Sequence, residues 1–183
     1  VTGASSKVTS TLATTQIKNN KAIIGTDGRG GGLALFAGAE VELTSGTTTL
    51  NQAKRGGGVY VDASTFKMHT HTIGPTNKAT VDDGGGLYLN AASVEARSSH
   101  VVANAAGRSG GGALLAVNSV MVLDQCAIAN NQAISGSGGG CLVDQSSVQV
   151  KQSEIIENKA RVYGGGFSVS NASQLNISYC QRV

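Results

Sequence analysis

Few residues of this chain can do chemistry, and their spacing says how each could act. Asp82 and Asp83 are the one adjacent acidic pair. Two carboxylates cleave a glycosidic bond when they stand several ångströms apart with room for water or substrate between them. Neighbouring loop residues diverge, so the expectation here is a solvated turn and no catalysis. His69 and His71 are two apart, which on a continuous strand puts both outside, opposite Phe66 and Met68. With His100 they make three imidazoles and no evident carboxylate, a surface grouping and not a metal site. No cofactor is expected. Cys126 and Cys180 are separated by 54 residues with Ser153 midway. If that is two repeats, they stand about 10 Å apart, beyond the roughly 7 Å Cα limit of a disulfide. Three free cysteines are expected, with Cys141 facing inward. Asn171-Ala-Ser173 and Asn176-Ile-Ser178 are sequons, candidate N-glycosylation sites in a secreted chain.

Charge is the best hint of binding. Lys21, Arg29, Lys54, Arg55, Lys78, Arg108, Lys159 and Arg161 fall in short variable segments that also hold Asp27, Asp82 and Asp83, which gives those segments +5 and the rest of the chain −2. A basic edge of this kind could dock a polyanion such as an acidic polysaccharide or an acidic protein. The overall +3 is too small to imply nucleic acid, and no partner of that kind is expected.

What positions these residues is a repeat. Gly-Gly-Gly begins at Gly30, Gly56, Gly84, Gly110, Gly138 and Gly164, and Asn-x-Ala at Asn20, Asn51, Asn77, Asn104, Asn131 and Asn158. Triplet to Asn is always 20 or 21 residues, whereas Asn to triplet varies from 5 to 10, so insertions are assigned to one corner of the unit. Between the markers apolar and polar residues alternate, the period of a strand with one buried face. The first strand carries Leu33 and Leu35, Val59 and Val61, Leu87 and Leu89, Ala113 and Leu115, Cys141 and Val143, Phe167 and Val169. The second carries Val41 and Leu43, Phe66 and Met68, Val94 and Ala96, Val120 and Val122, Val148 and Val150, Leu175 and Ile177. A short third strand carries Ile17, Ile73, Val101, Ile128 and Ile155.

The pattern predicts an all-β fold: a right-handed, single-stranded parallel β-helix of three short strands per coil and about seven coils of ~27 residues. As one domain over 1–183, its coils run approximately 1–29, 30–55, 56–83, 84–109, 110–137, 138–163 and an incomplete 164–183. Each Asn is expected to take the left-handed conformation at a tight corner and to bond to the Asn above and below. The Ala two places later, as in Ala106 and Ala133, fits the cramped inside of that corner. With 4% aromatic residues and no Trp, Val, Ile, Leu and Ala must fill the core. No segment reaches the roughly 18 apolar residues of a membrane span, and the absence of an initial Met reads as a piece of a longer or processed chain.

Ile17-Lys-Asn-Asn20-Lys-Ala22, Ile128-Ala-Asn-Asn131-Gln-Ala133 and Ile155-Ile-Glu-Asn158-Lys-Ala160, with Gly110-Gly-Gly-Ala113-Leu and Gly84-Gly-Gly-Leu87-Tyr, resemble the repeat of chlamydial polymorphic membrane proteins, which are autotransporter adhesins. Here Ile or Val stands in place of that repeat's Phe, and a third Gly in place of its Ala. The resemblance implies a pectin-lyase-like β-helix at the cell surface or outside the cell. Polysaccharide lyases and hydrolases share such a fold, but the clustered Asp with Arg, Lys or His on one strand face that they need is missing. Calcium-binding Gly-Gly-x-Gly-x-Asp repeats and regular Thr-x-Thr arrays are missing as well. The expected function is therefore a structural or adhesive stalk or filament component, with other chains or repeats stacked at its coil ends and surface glycans as a second class of partner.

Overall fold

The structure, a computed structural model, describes residues 6–10 and 15–180; the parts of the first and last predicted coils at 1–5, 11–14 and 181–183 lie outside them. Every regular element is a strand, and every strand pairing is parallel. Among the described residues successive coils stack into four sheets, three of six strands and one of seven, about six turns of a β-helix with ~27 residues per coil, as the repeat with its incomplete last coil predicts.

The first sheet follows the glycines (Leu33–Leu35, Val59–Asp62, Leu87–Asn90, Ala113–Ala116, Cys141–Asp144, Phe167–Ser170). The second has seven rungs, from Lys7–Ser10 to Gln174–Ser178, and the third six, from Gln16–Lys18 to Glu154–Ile156. The fourth was not foreseen: two-residue strands at Lys21–Ala22, Gln52–Ala53, Lys78–Ala79, Ala105–Ala106, Gln132–Ala133 and Lys159–Ala160. Asn-x-Ala therefore marks a fourth strand as well as a corner. Two residues are too few to show alternation, which is why the apolar pattern does not reveal it.

Columns form as the repeat requires. Leu33, Val59, Leu87, Ala113, Cys141 and Phe167 lie in one register, and Ile17, Thr48, Ile73, Val101, Ile128 and Ile155 in another. Ala53, Ala79 and Ala106 are fully buried in the fourth sheet. One column differs from expectation. Met121 and Leu123, both inaccessible, pair with Val94 and Ala96, while Val120 points out. Val117 and Asn118 are both left-handed, so this corner has one residue more than the single-residue corner at Ala91 and moves the strand by one place. Because Val120 to Leu123 are all apolar, alternation could not choose between the two frames. One-residue insertions thus also occur outside the variable segment.

Three corners are built alike in most of the described coils, the corner at Gly46 being an exception. A left-handed residue is followed by one whose side chain turns inward. Thr76, Ala103, Asn130 and Glu157 are left-handed before Asn77, Asn104, Asn131 and Asn158, so the strained residue precedes the ladder Asn and is not the Asn itself. Ala63, Asn118, Gln145 and Ala172 precede Ser64, Ser119, Ser146 and Ser173 in the same way, and Thr70, Ser98, Gln125 and Gln152 precede His71, Ser99, Cys126 and Ser153.

Candidate functional site

Polar residues of the repeat go mostly into three buried ladders. In the first, Asn51 Nδ2 donates to Asn77 Oδ1 at 3.1 Å and to the Ile17 carbonyl at 2.8 Å, and the Asn51 backbone N–H donates to the same Oδ1 at 3.0 Å. Asn104 and Asn131 repeat this arrangement, and Asn20, Asn77 and Asn158 complete the file. Both amide hydrogens and both oxygen lone pairs are satisfied at Asn131, the full capacity of the group.

The other two ladders were not read from the sequence. Ser119 and Ser146 hydroxyls accept the backbone N–H of Ala92 and Ser119 one coil away, and Ser173 continues the file. At the next corner Ser99 accepts the His71 N–H and Ser153 the Cys126 N–H. The 27-residue recurrence Ser119, Ser146, Ser173 is the signal that could have revealed the first of them.

His71 corrects the expected outer-face pair. His69 lies outside, 3.6 Å from Glu42, but left-handed Thr70 ends the strand between them and turns His71 fully inside. Its Nδ1 lies 3.2 Å from the Ser45 carbonyl and its Nε2 3.0 Å from Thr48 Oγ1. Thr48 stands where other coils place Ile or Val, so one buried polar pair replaces an apolar contact. Burial pushes the His71 pKa below its ordinary value. The imidazole is then neutral, donating from Nδ1 and accepting at Nε2.

All three thiols are free. Cys141 is fully buried, Cys126 nearly so, and Cys180 partly exposed. Desolvation raises the Cys141 and Cys126 pKa values.

The basic segments lie together along the edge between the fourth sheet and the first, where their residues separate into two groups. Three arginines pair with carboxylates: Arg29 with Asp27 of its own segment at 2.6 Å and, across coils, Arg55 with Asp82 at 3.0 Å and Arg108 with Asp83 at 3.0 Å and with Asp82 at 3.6 Å. The Arg29 guanidinium holds the Asp27 carboxyl below its ordinary range and lies over the Tyr60 ring, 5.2 Å from its centre. Tyr60 stacks on Tyr88 at 5.1 Å, and burial pushes the Tyr60 hydroxyl up to about 12. Asp83 corrects the expected solvated turn: it is only 6% exposed and accepts the Ser109 N–H at 2.9 Å. Its burial raises its pKa despite that bond and Arg108. The Asp82–Asp83 pair therefore braces the loops, with both carboxylates tied to arginine.

Lys21, Lys78 and Lys159 stand apart from this network, in one outward column of the fourth sheet with Gln52, Ala105 and Gln132 between them. They, Lys54 and Arg161 make no ion pair among the described residues, and Lys54 Nζ donates to the Gly25 carbonyl. Asn176 is exposed on the second sheet, pointing outward; Asn171 is a left-handed corner residue whose amide bonds to Asp144.

Elsewhere, a polar groove of about 490 Å³ runs beside the third sheet, lined by His100, Gln125, Ala127, Gln152, Glu154 and Tyr179. His100 and Glu154 occupy one column with Ala127 between them, so they are separated by two rungs, about 10 Å. Among the described residues no three of His, Cys, Asp and Glu gather in a way that could hold a metal ion. No helix among them is long and apolar enough to cross a membrane. No family model, curated protein or solved structure matches the chain.

Proposed function

We propose that this β-helix is a structural or adhesive stalk or filament segment at a cell surface or outside the cell. The observation that carries the reading is that the recurring Asn is consumed internally, in the ladder running from Asn20 to Asn158, as are the corner Ser, His and Cys residues of most coils. Repetition therefore builds length and rigidity and leaves the outer faces free to vary. The resemblance to chlamydial adhesin repeats supports the same reading, with stacking at the coil ends as its mode of assembly. Glycans on Asn171 and Asn176 would suit that location.

Beads coated with the folded chain should adhere to cells or to one another well above beads coated with heat-unfolded chain. Electron microscopy should show rods joined end to end as concentration rises. Beads that settle like bare ones, together with particles that stay single, would remove the proposal.

The unpaired lysine column favours a second reading, a module for polyanionic glycans. Salt-sensitive retention on polygalacturonate, lost when Lys21, Lys78 and Lys159 become Gln, would support it; salt-independent passage would not. Cleavage of uronic-acid polymers ranks below both, because Asp82 and Asp83 are engaged by arginines.

A further inference from the structure

Lys21-Ala-Ile-Ile24, Lys78-Ala-Thr-Val81 and Lys159-Ala-Arg-Val162 repeat one motif, Lys-Ala-x-aliphatic, at one register of the stack. The fold accounts for the Ala, which packs inside the fourth sheet, but not for the two flanking residues. Ile24 is 96% exposed, Val81 57% and Val162 52%. Ile134 is exposed on the same edge one coil before Val162, and Tyr163 follows Val162 with 72% of its surface free. Single exposed apolar side chains are ordinary. Ile24, Val81, Ile134 and Val162 all project from the loops of one edge, beside lysines that make no ion pair among the described residues, and this is more than scattered single exposure.

We propose that this edge is a membrane-docking surface, with the aliphatic side chains entering the headgroup layer of an anionic phospholipid bilayer and the lysines lying on its phosphates. From the first coil to the sixth the row is about 24 Å long at the strand spacing, enough to contact many headgroups at once. Apolar insertion and attraction to anionic lipid are the two components of interfacial binding, and this edge presents both. Charge complementarity alone would suit a polysaccharide equally. Exposed Ile and Val decide for lipid, since a hydrated glycan offers them nothing to pack against, whereas acyl chains do. Asp27, Asp82 and Asp83 do not oppose the approach, because Arg29, Arg55 and Arg108 already neutralise them. The inference does not depend on the stalk reading, which would survive a negative result here.

The test is flotation of the whole chain with phosphatidylcholine vesicles, with and without phosphatidylserine. The chain should float with the anionic vesicles only. Changing Lys21, Lys78 and Lys159 to Gln should weaken binding by roughly five-fold per lysine. Ile24→Ser, Val81→Ser and Val162→Ser together should weaken it roughly ten-fold or more while leaving retention on dextran sulfate unchanged. These side chains are outside the core, so circular dichroism should show an unaltered fold. Since the chain has no Trp, Val81→Trp gives a clean reporter whose emission should shift to the blue on anionic vesicles. Retention on dextran sulfate without flotation, full vesicle binding by the triple Ser variant, or unmoved Trp emission would each overturn the proposal.

Discussion

Asn104 shows what one buried amide does in this architecture. Its Nδ2 donates to Asn131 Oδ1 and to the Ile73 carbonyl, and its backbone N–H is capped by Asn131. Asn104→Ala strands partners on two coils, and urea unfolding should record a loss of about 2–3 kcal/mol. Asn104→Asp should cost more at neutral pH, because a carboxylate oxygen would then face two carbonyl-type oxygens. His71 makes the matching statement about pH. Its folded pKa is depressed by burial, so below about pH 6.5 the unfolded chain takes up a proton that the folded chain refuses. Stability should fall as pH drops through that window and level off below the folded value. His71→Ser, which copies Ser99 and Ser153 in the same column, should abolish that slope; an unchanged slope would mean that His71 is not its source. The thiols should separate by depth, with Cys180 reacting readily with a disulfide reagent and Cys141 only at the rate of unfolding.

At the scale of the element, the corner is the unit of design. One left-handed residue followed by one inward side chain reverses the alternation of the strand, and where that side chain is Asn or Ser it caps an N–H of the neighbouring coil; most of the described coils use this device at three corners. It explains why His69 and His71, two apart in sequence, face opposite ways. The glycine layer is the fourth corner, and its tolerance is set by neighbouring backbone. A Cβ on Gly112 would lie 2.5 Å from the Gly140 carbonyl oxygen and 2.9 Å from Asn131 Nδ2, whereas on Gly166 its nearest neighbour would be Ile155 Cγ2 at 3.3 Å. Gly112→Ala should therefore lower the thermal midpoint sharply or prevent folding, and Gly166→Ala should change it little. Equal effects would show that conformational freedom, and not the close approach of coils, fixes these glycines.

Over the whole molecule, each coil touches only its neighbours, so stability is shared along one dimension. Amide exchange should be slowest in the central coils, about residues 59–129, and faster toward residues 164–180, where Val169 and Ile177 are exposed. Uniform exchange would mean that the stack opens as a single unit. Across the outside, the arginine–aspartate network holds the variable loops to one another, which leaves the lysines of the fourth sheet as the charge available to a partner.

The sequence by itself determined the period, the parallel stacking, the Asn file and most of the apolar columns, because a side chain repeated every 27 residues meets its own kind at every rung. It also placed the three cysteines correctly, since the period fixes which residues share a column. Only the tertiary structure decided the fourth sheet, the frame of Val120 to Leu123, the inward turn of His71 and the division of the basic edge into three arginines paired with aspartates and a lysine column without ion pairs among the described residues. Each of these depends on a one-residue corner or on contacts between coils, and neither leaves a periodic trace: a single left-handed residue flips the facing of everything after it, and an ion pair is made by loops that differ in length from coil to coil.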